Sequence, residues 1–157
     1  MCSSDLPGMR AADLRPLFAA LRTRLVALRQ RLTAGQAPDD GFARVPIEEA
    51  RQESFVRAIA KAIGFDDQFG RVDRSAHPFC TRVGADVRLT TRFHRDNVLD
   101  ALGSTMHEAG HGLYEQGMEL AALGTPLGEA ASLGIHESQS RLWENHVGRS
   151  AAFWQWC

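Results

Sequence analysis

Cysteine is scarce in this chain of 157 residues: three thiols, at Cys2, Cys80 and Cys157, lie far apart and form no CxxC pair. An odd, dispersed set of this kind excludes a disulfide framework and a thiolate metal site. Net charge is nearly missing as well. A formal value of -1 lacks the basic excess that a nucleic-acid binder carries. No apolar run reaches the roughly eighteen residues that a membrane span needs. Internal repeats and low-complexity tracts are absent, and Met1 to Gly8 has neither the charged start nor the apolar core of a secretion signal. These absences lead to the expectation of a cytoplasmic protein without nucleic-acid or membrane partners.

What is present suits one globular domain spanning residues 1–157. The composition, 44% hydrophobic and 24% charged, is ordinary for a soluble domain, and the length is enough to bury a core. From Ala11 to Thr33, the residues Leu14, Phe18, Leu21, Leu25, Leu28 and Leu32 recur in steps of four and three, which predicts one long amphipathic helix over 11–33. Its other faces carry arginines, read as a solvated surface. The leucine seam is expected to pack within the domain or against chain that is missing here. Gly35 to Arg44 is a linker by composition. Pro46 then opens a second helix to Ile63, with Phe55, Val56, Ile59 and Ile63 on its buried stripe and Gly64 at its end. Asp66 to Arg74 reads as a polar connector. Over 80–93, two short runs flank Gly84-Ala85-Asp86, and Val87, Leu89 and Thr91 alternate with Arg88, Thr90 and Arg92, the pattern of a β-hairpin. The fold class is therefore mainly α, with a small antiparallel hairpin beside the helix that follows.

That helix carries His107-Glu108-Ala109-Gly110-His111. Histidines four apart are separated by roughly 400° of rotation and about 6 Å of rise, so both imidazoles leave one face and can converge on one ion. The intervening Glu108 then sits beside the ion as a general base. A chance occurrence of this pattern in a chain of this composition is expected about 0.01 times. Val98, Leu99, Leu102, Met106 and Leu113 recur at helical intervals, Asp96 or Asn97 can cap the start, and Gly117 can end it. A catalytic zinc takes a third protein ligand and keeps one position open. Downstream candidates are Glu115, Glu119, Glu129, His136, Glu137, Glu144 and His146, with Glu115 too far along the same helix axis to close the cluster comfortably. The segment from Leu127 to Val147 reads as a second helix, folded back across Gly124-Thr125-Pro126, giving a metal-binding helix pair over 96–147. Periodicity does not choose between the adjacent His136 and Glu137.

Four short motifs, in order, carry a family resemblance: His77-Pro78-Phe79, Asp86-Val87-Arg88-Leu89-Thr90, the HExxH stretch, and His136-Glu137-Ser138-Gln139-Ser140-Arg141. Together they resemble the carboxypeptidase Taq family of metallocarboxypeptidases. The resemblance implies His107, His111 and Glu137 as metal ligands, Glu108 as the base, a peptide substrate and a homodimer. Two later motifs of that family, Ile-Arg-x-x-Ala-Asp and Gly-x-x-Gln-Asp-x-His-Trp, are absent, so a fragment is expected. The ion is expected to be zinc, though two imidazoles and a carboxylate also accept cobalt or manganese.

His77 is a candidate substrate-binding group or an anchor for its loop. Arg88 offers a fork either to a substrate carboxylate or to an internal acid such as Asp86. His94, His136 and His146 are read as surface groups, caps or supports, with His136 able to orient the ligand region. The leading function is removal of single residues from peptide C-termini. An aminopeptidase or endopeptidase using the same metal chemistry is the alternative, and a metal-binding fragment without turnover is a third.

Overall fold

A computed structural model describes residues 7–157. Its elements are α1 (Ala11–Thr33), α2 (Glu49–Ala62), β1 (Gly70–Arg74), β2 (Phe79–Val83), β3 (Asp86–Thr91), α3 (Val98–Gln116), α4 (Leu133–Arg141) and α5 (Ala151–Trp156). The fold is mainly α with one small sheet. None of its described helices is long and apolar enough to cross a membrane.

The central element is α3. The Asn97 side chain accepts a hydrogen bond from the backbone N–H of Asp100 and caps its start, and Gly117 follows its end. Its apolar residues serve two cores. Ala109 packs with Ala60, Phe65, Val72, Val87 and Leu89 against the sheet. Leu102 and Met106 pack with Ile59 and Phe153 on the other side. Helix α2 supplies Val56, Ile59 and Ala60 at the helical spacing that buries one stripe.

Helix α2 starts three residues beyond Pro46. The reason is tertiary: Ile47 donates its N–H to the Arg95 carbonyl at 2.8 Å, and buried Gln52 donates to the carbonyls of Ile47 and His94. Pro46 to Glu48 is thereby held against the entry to α3 instead of joining the helix.

The sheet has three strands in the order β1-β3-β2, with β1 parallel and β2 antiparallel to β3. The hairpin of β2 and β3 turns at Gly84, which takes φ 64. Strand β1 lies in the stretch read as a polar connector. Val72 is its one buried residue, so no alternation was there to read. Gly70 lets β1 close on β3, since a Cβ there would stand 2.4 Å from the Val87 carbonyl oxygen.

The expected helix over 127–147 is instead broken. Pro126–Gly128 forms a short 3-10 turn, Gly128 is pressed against the Ala122 backbone, and the Ser132 hydroxyl caps a fresh start by accepting from Ile135 N–H. Helix α4 then widens into a π turn over Leu142–Val147. Helix α1 forms over the expected range, but it buries none of its residues: Phe18, Leu25 and Leu32 are 58%, 54% and 70% exposed.

Arg92 and Asp100 tie the end of β3 to the first turn of α3. The guanidinium donates to both carboxylate oxygens, at 2.8 and 3.1 Å. That hydrogen bond holds the Asp100 carboxyl below the ordinary aspartate value, against the opposing effect of partial burial. The stabilisation is therefore whole above the unfolded pKa and is lost as pH falls through the lower folded value. Replacing Asp100 with Asn should lower unfolding free energy at neutral pH by about 1 kcal/mol, discounted for the half-exposed arginine. The difference from the parent should shrink in strong acid, as read from urea unfolding at stepped pH.

Candidate metal centre

Helix α3 turns His107 and His111 toward α4, with their ring centroids 5.0 Å apart. Glu137, in the second turn of α4, reaches between them. Its Oε2 lies 3.3 Å from His111 Nε2 and 3.6 Å from His107 Nε2. One ligand atom from each of the three residues falls within 4.8 Å of the others. Zinc ligands at about 2.0–2.1 Å in a tetrahedron stand roughly 3.4 Å from one another, so these separations fit such an ion.

The approach of the two helices depends on Gly110. A Cβ at that position would meet the Gln139 carbonyl oxygen and Ser140 Cα, both at 2.6 Å. Only a missing side chain lets the backbone of α4 come that close. Gly112 does the same toward the sheet, where a Cβ would stand 2.9 Å from Leu89 and Phe65 side-chain atoms. The spaces inside and just beyond the HExxH stretch thus decide which elements lie beside the imidazoles.

The side chains of the cluster are held from behind. His107 Nδ1 is 2.8 Å from Glu144 Oε2, and Glu144 also accepts from Arg149 at 3.0 Å. The π turn carries Glu144, with Gly148 N–H donating to the Trp143 carbonyl five residues back. Glu137 accepts from Arg141 Nε at 2.7 Å on one oxygen and from the Ser140 hydroxyl at 3.1 Å on the other. Partial burial pushes both carboxyls up, yet both lie below the ordinary glutamate value. For Glu137 the Arg141 hydrogen bond and the neighbouring His107 outweigh burial, and for Glu144 the bond to His107 does so. Burial, helped by the neighbouring His136 and His107, lowers the pKa of His111 and favours its neutral form. Ionised carboxylates and neutral imidazoles are the forms that bind a cation.

Glu108, between the two histidines in sequence, is 7% exposed, and burial raises its carboxyl above the ordinary glutamate value. It lines two cavities. One, of about 820 Å³, also includes Arg92, Ser104, Met106, His107 and Arg141. The other, of about 430 Å³, brings Glu108 together with Phe79, Cys80, His111, His136 and Glu137. Burial and the Glu108 and Glu115 charges push the Cys80 thiol up to about 12, and Cys80 is not among the three residues whose ligand atoms converge.

Two other residues singled out from the sequence stay apart from the cluster. Arg88 lies on the exposed side of β3, paired with Asp86 at 2.7 Å. His77 is exposed, and its carbonyl accepts from the Thr90 hydroxyl, which in turn accepts from Phe79 N–H. Thr90 therefore fastens the His-Pro-Phe loop to the central strand, and Pro78 borders both cavities. Glu144 and His136, which the sequence offered only as alternative ligands or supports, touch the ligand imidazoles directly. Glu144 lies seven residues after Glu137, a spacing that keeps two side chains near one helical face.

Two imidazoles and a carboxylate from crossing helices, with a buried glutamate adjoining them, form a cluster that could hold a metal ion on an HExxH stretch. The profile of the carboxypeptidase Taq (M32) metallopeptidases covers residues 3–157, and the chain belongs to that family. It is 48% identical over 151 residues to thermostable carboxypeptidase 1 of Thermus thermophilus, covering 95% of this chain and 30% of that protein. It is 39% identical over 150 residues to carboxypeptidase 1 of Bacillus subtilis, again covering 30% of the relative. The solved M32 carboxypeptidase of Deinococcus radiodurans superposes with a TM-score of 0.92 at 50% identity, over 97% of this chain and 31% of that structure. The chain thus spans about a third of the length of these relatives.

Overpacking at Gly110 tests the helix crossing. Gly110→Ala gains about 1 kcal/mol of helix propensity but forces apart two backbones, at a cost of about 1–3 kcal/mol. Lower thermal stability and weakened zinc binding, with both histidines still present, are the expected results by calorimetry and chelator competition. An alanine variant as stable and as zinc-avid as the parent would show that the contact is not tight.

Proposed function

We propose that this chain carries the metal centre of a metal-dependent carboxypeptidase, with His107, His111 and Glu137 holding a divalent cation, zinc by donor chemistry, and Glu108 as general base. The observation that carries the reading is the convergence of Glu137 on the two imidazoles while Glu108 borders the cavities on both sides. A cation held there supplies Lewis acidity, polarising a peptide carbonyl and acidifying water. Glu108 then takes the proton from the attacking water and delivers it to the departing amine. Its burial suits both acts, since a raised pKa makes the protonated form accessible at the second step.

The substrate we propose is a peptide with a free C-terminus, in keeping with a family of carboxypeptidases. Phe79 and Cys80 of β2 line the same cavity as His111 and Glu137, and β2 is a terminal strand of the sheet. An extended peptide laid along that strand gains backbone hydrogen bonds while its scissile bond nears the cluster. A second reading is metal binding without turnover by this stretch of chain alone.

Glu108→Gln separates binding from chemistry. The variant should retain zinc at parental stoichiometry and lose about 10²- to 10⁴-fold in turnover of a peptide with a free C-terminus, the range for removal of a general base. Cleavage at the parental rate would remove Glu108 from the mechanism. Bound zinc with no cleavage by the parent favours the second reading. Loss of cleavage on amidating the C-terminus, but not on acetylating the N-terminus, separates carboxypeptidase from aminopeptidase action.

A further inference from the structure

Behind His111 the support differs in kind from that behind His107. His107 meets a carboxylate directly, whereas His111 Nδ1 faces another imidazole, His136 Nδ1, at 2.6 Å. His136 Nε2 lies 2.8 Å from Glu115 Oε1. Glu115 in turn is paired with Arg82, whose Nη1 stands 3.3 Å from Oε2 and also donates to the Gly128 carbonyl at 3.1 Å. The Arg82 side chain is only 9% exposed and that of Glu115 17%. This row leads from the cluster into the seam between β2 and α3.

We infer that His136 is a positioning residue that fixes the tautomer and ring orientation of His111, through a hydrogen-bond relay running His111, His136, Glu115, Arg82. The assignment rests on the metal-centre reading above and goes beyond it. The acceptor at its far end gives the relay a direction. The Glu115 carboxylate accepts from Arg82 and offers His136 an acceptor oxygen, which puts the hydrogen on His136 Nε2. In that tautomer His136 presents its lone pair at Nδ1, and the proton between the two rings belongs to His111 Nδ1. His111 Nε2 is left with its lone pair directed at the cluster, 3.3 Å from Glu137 Oε2. The reverse order would place a hydrogen on Nε2 and close that corner to a cation.

His136 is itself held in register. Its backbone N–H donates to the Ser132 carbonyl at 3.0 Å, and the Tyr114 ring packs edge-on at a centroid distance of 5.3 Å. The Tyr114 hydroxyl accepts from Ala131 N–H, just ahead of the α4 cap. Adjacent residues His136 and Glu137 thereby do separate jobs on α4. Glu137 supplies an oxygen to the cluster, and His136 aims the nitrogen beside it.

Zinc affinity of the full chain, measured by chelator competition, tests this with a readout independent of turnover. His136→Phe keeps the ring and removes both hydrogen bonds. His136→Asn keeps an oxygen near the position of Nδ1, able to accept from His111, and gives up Glu115. His136→Phe should weaken zinc binding about 10- to 100-fold, the usual loss when the partner of a metal-bound histidine is removed. His136→Asn should recover most of that loss, and the unfolding midpoint of both metal-free variants should stay near the parent's. Parental zinc affinity in His136→Phe, or an equal loss in His136→Asn, overturns the inference. A parent that binds no zinc sinks the metal-centre reading itself, whereas a zinc-binding parent with an equally avid His136→Phe sinks the relay alone.

Discussion

Two helical backbones touch at Gly110, and the rest of the candidate site depends on that contact. With the Gln139 carbonyl oxygen and Ser140 Cα each 2.6 Å from where a Cβ would stand, α4 lies close enough for a short glutamate to bridge to both imidazoles. A helix pair separated by ordinary side chains, at about 8–10 Å between axes, would leave Glu137 short of the cluster or strand it in solvent. The residue that makes the crossing possible sits between the two histidines. One pentapeptide therefore supplies two imidazoles of the cluster, a buried carboxyl and the notch that admits Glu137.

Around that contact the surrounding groups divide by charge. Arg141 and Arg149 flank the carboxylates of Glu137 and Glu144, and buried Arg82 pairs with Glu115. Against partial burial, the Arg141 hydrogen bond holds the Glu137 carboxyl below the ordinary value, and the bond to His107 with help from Arg149 does the same for Glu144. Desolvation in turn favours neutral imidazole at His111 and a raised carboxyl at Glu108. Opposite shifts on neighbouring groups follow from which of them has a cationic partner. Glu108 has no arginine partner among the described residues, and its raised carboxyl suits the general-base role proposed for it.

How much of this is legible in the sequence depends on the range of the interaction involved. The imidazole pair is local: four residues along one helix fix its geometry, and a cap at Asn97 and a stop at Gly117 are written beside it. The hairpin turn at Gly84 is equally local. The third ligand is not, because His136 and Glu137 are neighbours and a close crossing lets both side chains reach α3, so a choice between them by helical face has no basis. Family resemblance, not periodicity, separated them. Strand β1 hides behind a single buried valine. The break before α4 was obscured by apolar residues at helical spacing on both sides of it, while Gly128 and the Ser132 cap decide the outcome. The leucine seam of α1 is plain in the sequence, yet no described element covers it.

The central claim is that two imidazoles and one carboxylate surround a common cation. X-ray absorption at the zinc edge of the reconstituted chain measures this most directly. The account predicts a four-coordinate shell with two histidine nitrogens and the remaining positions oxygen, at about 2.0–2.2 Å. A shell containing sulfur, or one without the outer-ring scattering of two imidazoles, would contradict it.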